Sequence, residues 1–213
     1  MKGALFDLDG VIVDTESQYS KFWGGQMRLY YPDKTGLENR IKGQTLVQIY
    51  DRFFAGMEQA QRDITLRLDE FERKMSYDYI KGVESFIKDL RANGVKTAVV
   101  TSSNQAKMEN VYKSHPEFMS YFDIVLTSED FSKSKPEPDC YLKGASSLGV
   151  LPQECVGFED SFNGLKAVKA AGMKVVGLYT TNSREDIMPF CDMVLPHFDG
   201  VKYQDIIQLF TNH

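Results

Sequence analysis

This 213-residue chain predicts an α/β fold with a largely parallel sheet, and three observations carry that prediction. Short apolar runs of strand length recur along the sequence. Amphipathic stretches of helix length, closed by turn residues, separate most of them, which is the alternation of strand–helix–strand units. One stretch of about 65 residues, Thr15 to Tyr79, breaks this rhythm with helix-period material and no convincing strand.

Along the chain, Ala4–Leu8 is the first strand-like run and ends in Asp7-Leu8-Asp9-Gly10. The irregular stretch then offers helices over Tyr19–Leu29, Leu46–Met57 and Ile64–Met75, and reads as a helical insertion with hinges near Asp14–Thr15 and Tyr79–Gly82. A helix over Val83–Ala92, closed by Asn93-Gly94, leads to a strand at Thr97–Thr101. The helix Gln105–Lys113 leads to a strand at Asp123–Thr127, and Asp139–Ser147 to one at Cys155–Phe158. Phe162–Ala171, closed by Gly172, precedes the last two strands, Val175–Tyr179 and Met193–Leu195. Glycine directly after a helix supplies the left-handed residue that ends it.

Apolar residues make up 42% of the chain and charged ones 26%, an ordinary globular composition that can bury a core without staples. Thirty acidic against 25 basic residues give a net charge of −5, with no long-range pull toward nucleic acid or anionic membrane. No run approaches the ~18 apolar residues that a membrane span needs. The segment beginning Met1-Lys2-Gly3 lacks the apolar region of a signal peptide. Cys140, Cys155 and Cys191 are odd in number and widely spaced, which fits a reducing compartment. The expectation is a cytoplasmic protein, monomeric by default, with neither nucleic acid nor membrane as partner.

Ligands of open α/β sheets bind beyond the carboxyl ends of the strands. Asp7 and Asp9 follow the first run, Thr101-Ser102-Ser103 the second, and Glu159-Asp160 the fourth. Lys135 lies in the Ser-Lys-Pro-Glu-Pro loop after the third. Crowded carboxylates repel, and desolvation adds to the cost, unless a cation sits among them. Oxygen-only ligands favour a hard ion, here Mg²⁺. A metal, a lysine and a hydroxyl clamp the charged oxygens of a transferring phosphoryl group. One aspartate is then free to attack phosphorus, and the other to protonate the leaving group. Taken singly, each signal has an ordinary reading: a turn after a strand, a solvated loop lysine, or an acidic helix N-terminus. Only their joint placement at strand ends, in a fixed order, points to a site.

The order Asp7-Leu8-Asp9-Gly10-Val11, Thr101-Ser102-Ser103, Lys135-Pro136-Glu137-Pro138-Asp139 and Gly157-Phe158-Glu159-Asp160-Ser161 resembles the haloacid dehalogenase (HAD) superfamily, most closely its β-phosphoglucomutase-like branch. The resemblance spans essentially the whole chain. It implies a Rossmann-like three-layer core over residues 1–14 and 80–213, with the motif strands near the centre of a parallel sheet, and an inserted helical C1 cap over residues 15–79. It implies Asp7 as nucleophile and Asp9 as general acid/base, with Thr101, Ser102 and Lys135 binding the phosphoryl group. Mg²⁺ would be held by Asp7, Asp160, the main-chain carbonyl of Asp9, and Glu159. Lys42, Ser103 and Asn104 are the expected substrate-facing positions, with helix capping the plainer role for Ser103 and Asn104. Tyr19 and Trp23, on the first cap helix, are expected to pack between cap helices before they touch substrate. His115, His197 and His213 match no motif of the family.

Two departures bear on the reaction. The mutases of this branch carry an arginine shortly after a Lys-Gly pair, which clamps a second phosphate; Lys42-Gly43-Gln44-Thr45-Leu46 places a leucine there. They also carry a histidine a few residues past the Asp-Thr hinge, where Tyr19 stands here. The expected function is Mg²⁺-dependent hydrolysis of a small, sugar-phosphate-like metabolite through an aspartyl-phosphate. Hexose-phosphate isomerisation is the alternative.

Overall fold

The computed structural model describes residues 1–41 and 44–211. The first strand, β1 (Gly3–Phe6), is followed by three helices of the insertion, α1 (Glu16–Tyr30), α2 (Leu46–Phe53) and α3 (Glu58–Lys74). Next come α4 (Val83–Ala92), β2 (Lys96–Val100), α5 (Gln105–Ser114) and β3 (Ile124–Leu126). The chain continues with α6 (Asp139–Leu148), β4 (Cys155–Glu159), α7 (Phe162–Ala170) and β5 (Lys174–Leu178). It ends with α8 (Arg184–Ile187), β6 (Met193–Leu195) and α9 (Tyr203–Ile207). Among the described residues, six strands form one sheet in the order β3-β2-β1-β4-β5-β6, with every neighbouring pair parallel.

Strand periodicity sends Ala4 and Phe6 to one face of the sheet and Leu5 to the other. Ala4 and Phe6 join a core with Phe86 of α4, Val111 of α5 and Phe198. Leu5 joins a second core with Tyr141 of α6, Leu165 of α7 and Ile187 of α8. Helices therefore cover both faces, which is why the strands read as unbroken apolar runs instead of alternating ones. The Phe6 and Phe158 rings stack across β1 and β4 with centroids 4.5 Å apart. The motif strands β2, β1 and β4 lie side by side at the centre, as the resemblance implied.

The insertion packs on a cluster of its own, including Trp23, Met27, Ile49, Phe54, Ile64 and Leu68. Its helix boundaries differ from those expected. α2 stops at Phe53, short of Met57, because Gly56 adopts φ 74° and turns the chain. α3 starts at Glu58, not Ile64; its first turns, Glu-Gln-Ala-Gln-Arg, are strong helix formers without an apolar period to betray them. β1 likewise ends at Phe6, since the Leu8 carbonyl accepts from the amides of Ile12 (2.8 Å) and Val13 (3.0 Å) and closes a tight turn.

The chain crosses between core and insertion twice, and the two crossings pair with each other. Val13 and Tyr79 form an antiparallel bridge, flanked by Asp14 N–H to the Asp78 carbonyl and Ile80 N–H to the Ile12 carbonyl, each 2.8 Å. The His115 ring lies against Tyr79 with centroids 4.0 Å apart, so this histidine buttresses the second crossing. No helix among the described residues is long and apolar enough to cross a membrane.

Candidate active site

The turn after β1 delivers Asp7 and Asp9 and then requires Gly10, which has φ 71°. A Cβ there would overlap the Asp160 carboxylate, so this glycine lets the turn after β1 close against the turn after β4. Thr180 and Asn182, after β5, tie the same region together. The Thr180 hydroxyl donates to the Gly10 carbonyl (2.6 Å), and the Asn182 amide donates to the Asp160 carbonyl (2.9 Å). The Thr181 hydroxyl donates to the Asp160 carboxylate.

Lys135 reaches the same point from the loop before α6 and is 2% exposed. Its ammonium donates to Asp7 Oδ1 at 2.7 Å, to Glu159 Oε1 at 2.5 Å and to the Val100 carbonyl at 3.1 Å. Glu159 is fully buried, and both its oxygens face donors. Oε1 also accepts from the Tyr141 hydroxyl (2.7 Å), while Oε2 faces the Asp160 amide (3.2 Å) and the Ser161 hydroxyl (3.3 Å). Gly164 in α7 makes room for this carboxylate; a Cβ there would overlap it.

Carboxylate oxygens of Asp7, Glu159 and Asp160 lie within 4.8 Å of one another, a set that can hold a metal ion. Burial pushes the Asp7 carboxyl up to about 7; Lys135 pulls against the rise, and the charges of Glu159 and Asp9 add to it. Burial, with Glu16, Glu159 and Asp7 nearby, raises Asp160 well above the usual carboxylate range. Groups in this state ionise readily only beside a cation, and their all-oxygen chemistry fits a hard divalent one. Burial works against the Lys135 ammonium, but the charges of Asp7 and Glu159 outweigh it and keep the group protonated.

Asp9 has different company. Lys107 Nζ lies 2.5 Å from each of its carboxylate oxygens, the Ser103 hydroxyl donates to Oδ2 at 3.0 Å, and the Thr15 hydroxyl donates to Oδ1. Burial opposes its ionisation, yet Lys107, with Thr15 and Ser103, holds the carboxyl below its ordinary value. Asn104 caps α5, its Oδ1 accepting from the Lys107 amide at 2.9 Å. Thr101 Oγ1 accepts from the Ser103 amide at 3.0 Å.

A cavity of about 630 Å³ separates these groups from the insertion. Asp7, Asp9, Thr101, Ser102, Lys135 and Asp160 all line it, as do Ser103 and Asn104. The opposite wall includes Tyr19, Trp23, Glu38, Thr45 and Leu46. Gln48 spans the gap, its amide donating to the Lys135 carbonyl at 3.2 Å. Tyr19 and Trp23 thus serve both packing and lining. Lys42 and His213 lie outside the described residues. Three site residues had no signal in the sequence. Lys107 reads as an ordinary helical lysine, Tyr141 as a core aromatic, and Thr181 as a turn residue.

The sequence profile of the haloacid dehalogenase-like hydrolases matches residues 4–178. The chain belongs to that family. It is 31% identical to hexitol phosphatase A of Escherichia coli, over 83% of this chain and 82% of that protein. It is 28% identical to a bifunctional riboflavin kinase/FMN phosphatase of Arabidopsis thaliana, over 96% of this chain but only 57% of that protein. Among solved structures, a β-phosphoglucomutase of Clostridium difficile shares the fold at a TM-score of 0.83, with 23% identity over 99% of this chain and 97% of the other.

Proposed function

We propose that this enzyme is a Mg²⁺-dependent phosphatase that hydrolyses a small sugar or polyol phosphate through an aspartyl-phosphate on Asp7. The broader class, phosphoric monoester hydrolase, comes with the family and its phosphatase relatives. The observation that supports the finer reading is the triad of Asp7, Lys135 and Asp160 at the floor of a cavity that the insertion roofs.

Lys135 fixes Asp7 through Oδ1, and we assign the other oxygen to the attack on phosphorus. As the Asp7–phosphorus bond forms, the bond from phosphorus to the ester oxygen breaks, and Asp9, which first takes up a proton from solvent in the substrate complex, passes it to that oxygen. Asp9 then takes a proton from water, the water oxygen bonds to phosphorus, and the acyl-phosphate bond breaks to free phosphate and Asp7. Mg²⁺, held by Asp7, Asp160 and the Asp9 main-chain carbonyl, would neutralise the crowded carboxylates and the charge on the phosphoryl oxygens. Glu159 holds Lys135 through Oε1 and is assigned to the metal's carboxylate set as well.

Hydrolysis is favoured over isomerisation by the roof of the cavity. The described lysines lining the cavity are Lys107 and Lys135, and each is paired to a carboxylate. Leu46 stands in the roof, and no arginine is among the described residues that line the cavity. The test is ³¹P NMR of a hexose 1-phosphate reaction primed with the bisphosphate. Inorganic phosphate should appear in step with substrate loss. Accumulation of the 6-phosphate with negligible free phosphate would restore the mutase.

A further inference from the structure

Lys107 is a buried charge for which the proposed reaction gives no task. It is 3% exposed, projects from α5, and places its ammonium 2.5 Å from both oxygens of Asp9. The same ammonium lies 4.4 Å from the centroid of the Tyr19 ring on α1. The Tyr19 hydroxyl donates to Glu72 Oε1 on α3 at 2.8 Å, and the Tyr77 hydroxyl donates to the Glu72 main-chain carbonyl at 2.7 Å. One cation is thus wedged between a core aspartate and the Tyr19 ring of the insertion, which Glu72 holds in turn.

Its geometry limits what it can be doing. Thr15 and Ser103 donate to different oxygens of Asp9, which sets the rotation of the carboxylate. The Lys107 ammonium is a point charge that meets both oxygens, so it anchors where the carboxylate sits. An acid/base group displaced by about 1 Å loses on the order of 10²-fold in rate, so the placement of this carboxylate matters to proton transfer. The aromatic face of Tyr19 stabilises the ammonium from the insertion side without competing for Asp9.

Resting on the phosphatase reading above, we propose that Lys107 is a positioning residue for acid/base catalysis, which holds the Asp9 carboxylate in place and keys it to the insertion through Tyr19 and Glu72. A lysine that merely stabilises the fold would affect every substrate alike. A lysine acting through Asp9 matters in proportion to how badly the leaving oxygen needs a proton.

The experiment compares kcat/KM for phenyl phosphate and p-nitrophenyl phosphate in the full-length protein with Mg²⁺ present. That parameter reports the half-reaction in which the leaving group departs, and p-nitrophenolate departs with little help from an acid. Lys107→Met should lower kcat/KM about 30-fold on phenyl phosphate and less than about threefold on p-nitrophenyl phosphate. Lys107→Arg, which keeps the positive charge, should recover most of the loss. In the Asp9→Asn background, Lys107→Met should add almost nothing, because its effect passes through Asp9. Equal losses on both probes, no loss on either, or a full additional loss in the Asp9→Asn background would overturn the role. If Lys107→Met does not fold, Lys107→Gln carries the same comparison. A wild-type protein that releases no phosphate from either probe would overturn the phosphatase reading and this inference together. Turnover by the wild type with parallel losses in the variant would overturn the role of Lys107 alone.

Discussion

The two walls of the cavity are built on opposite plans. The core wall is ionic and closed on itself: Lys135 serves Asp7 and Glu159, Lys107 serves Asp9, and Thr181 serves Asp160. Among the described residues, no buried side-chain nitrogen or oxygen lacks a hydrogen-bond partner. These groups hang from the ends of central strands buried on both faces, where a shift of one strand would strain its neighbours. The wall of the insertion combines the underside of a hydrophobic cluster with polar groups such as Glu38, Thr45, Gln48 and Glu72. Trp23, Ile41, Ile49 and Leu68 belong to that cluster and to the lining at once. A change in the core wall alters charge and proton positions, while a change in the insertion wall alters the space a leaving group must fit. Under the proposed function, chemistry belongs to one wall and selection to the other.

The largest expected effect breaks the core wall. Asp7→Asn removes the proposed nucleophile while keeping the shape, and steady-state turnover should fall more than about 100-fold with the melting transition preserved. Residual activity above about 1% would remove Asp7 from its assigned role. Asp160→Ala comes next: the Mg²⁺ concentration for half-maximal rate should rise at least about tenfold, as measured by metal titration of activity. An unchanged metal requirement would mean that Asp160 is not a ligand. The smallest effect belongs to the insertion wall. Leu46→Ala should shift KM about three- to tenfold, in a direction set by leaving-group size, with kcat within about twofold. A collapse of kcat in that variant would erase the distinction between the walls.

How legible each wall was in the sequence depends on the same difference. The residues Asp7, Asp9, Thr101 and Asp160 announce themselves because a short apolar run ends in a polar cluster, a pattern local to a few residues, whereas Lys135 is legible only from its place in the order of motifs. Burial on both faces of the sheet made the strands readable for the same reason. Lys107 carries no such mark, because its partner is 98 positions away and nothing about a lysine in a helix shows that it is buried. Tyr141 is equally silent, since an aromatic on an apolar helix face looks the same whether or not its hydroxyl reaches a carboxylate. The early start of α3 was hidden because its first turns follow helix propensity and not burial. Glu159 was visible as an acid beside an acid, but the donors that surround its oxygens come from α6, the Lys135 loop and the turn after β4, and only the fold assembles them.

The paired crossings at Val13 and Tyr79 have a mechanical consequence. Two separate tethers would let the insertion swing, twist and slide over the core. Tethers stitched into one two-stranded ribbon act as a single flexure, soft to bending across its plane and stiff to most other displacements. The root of that flexure is Val13, which also bridges to Asp9 and accepts from the Gly10 amide at 2.8 Å. Any tilt of the roof is therefore levered directly on the loop that carries Asp9, and the distance from pivot to that carboxylate is four residues of chain.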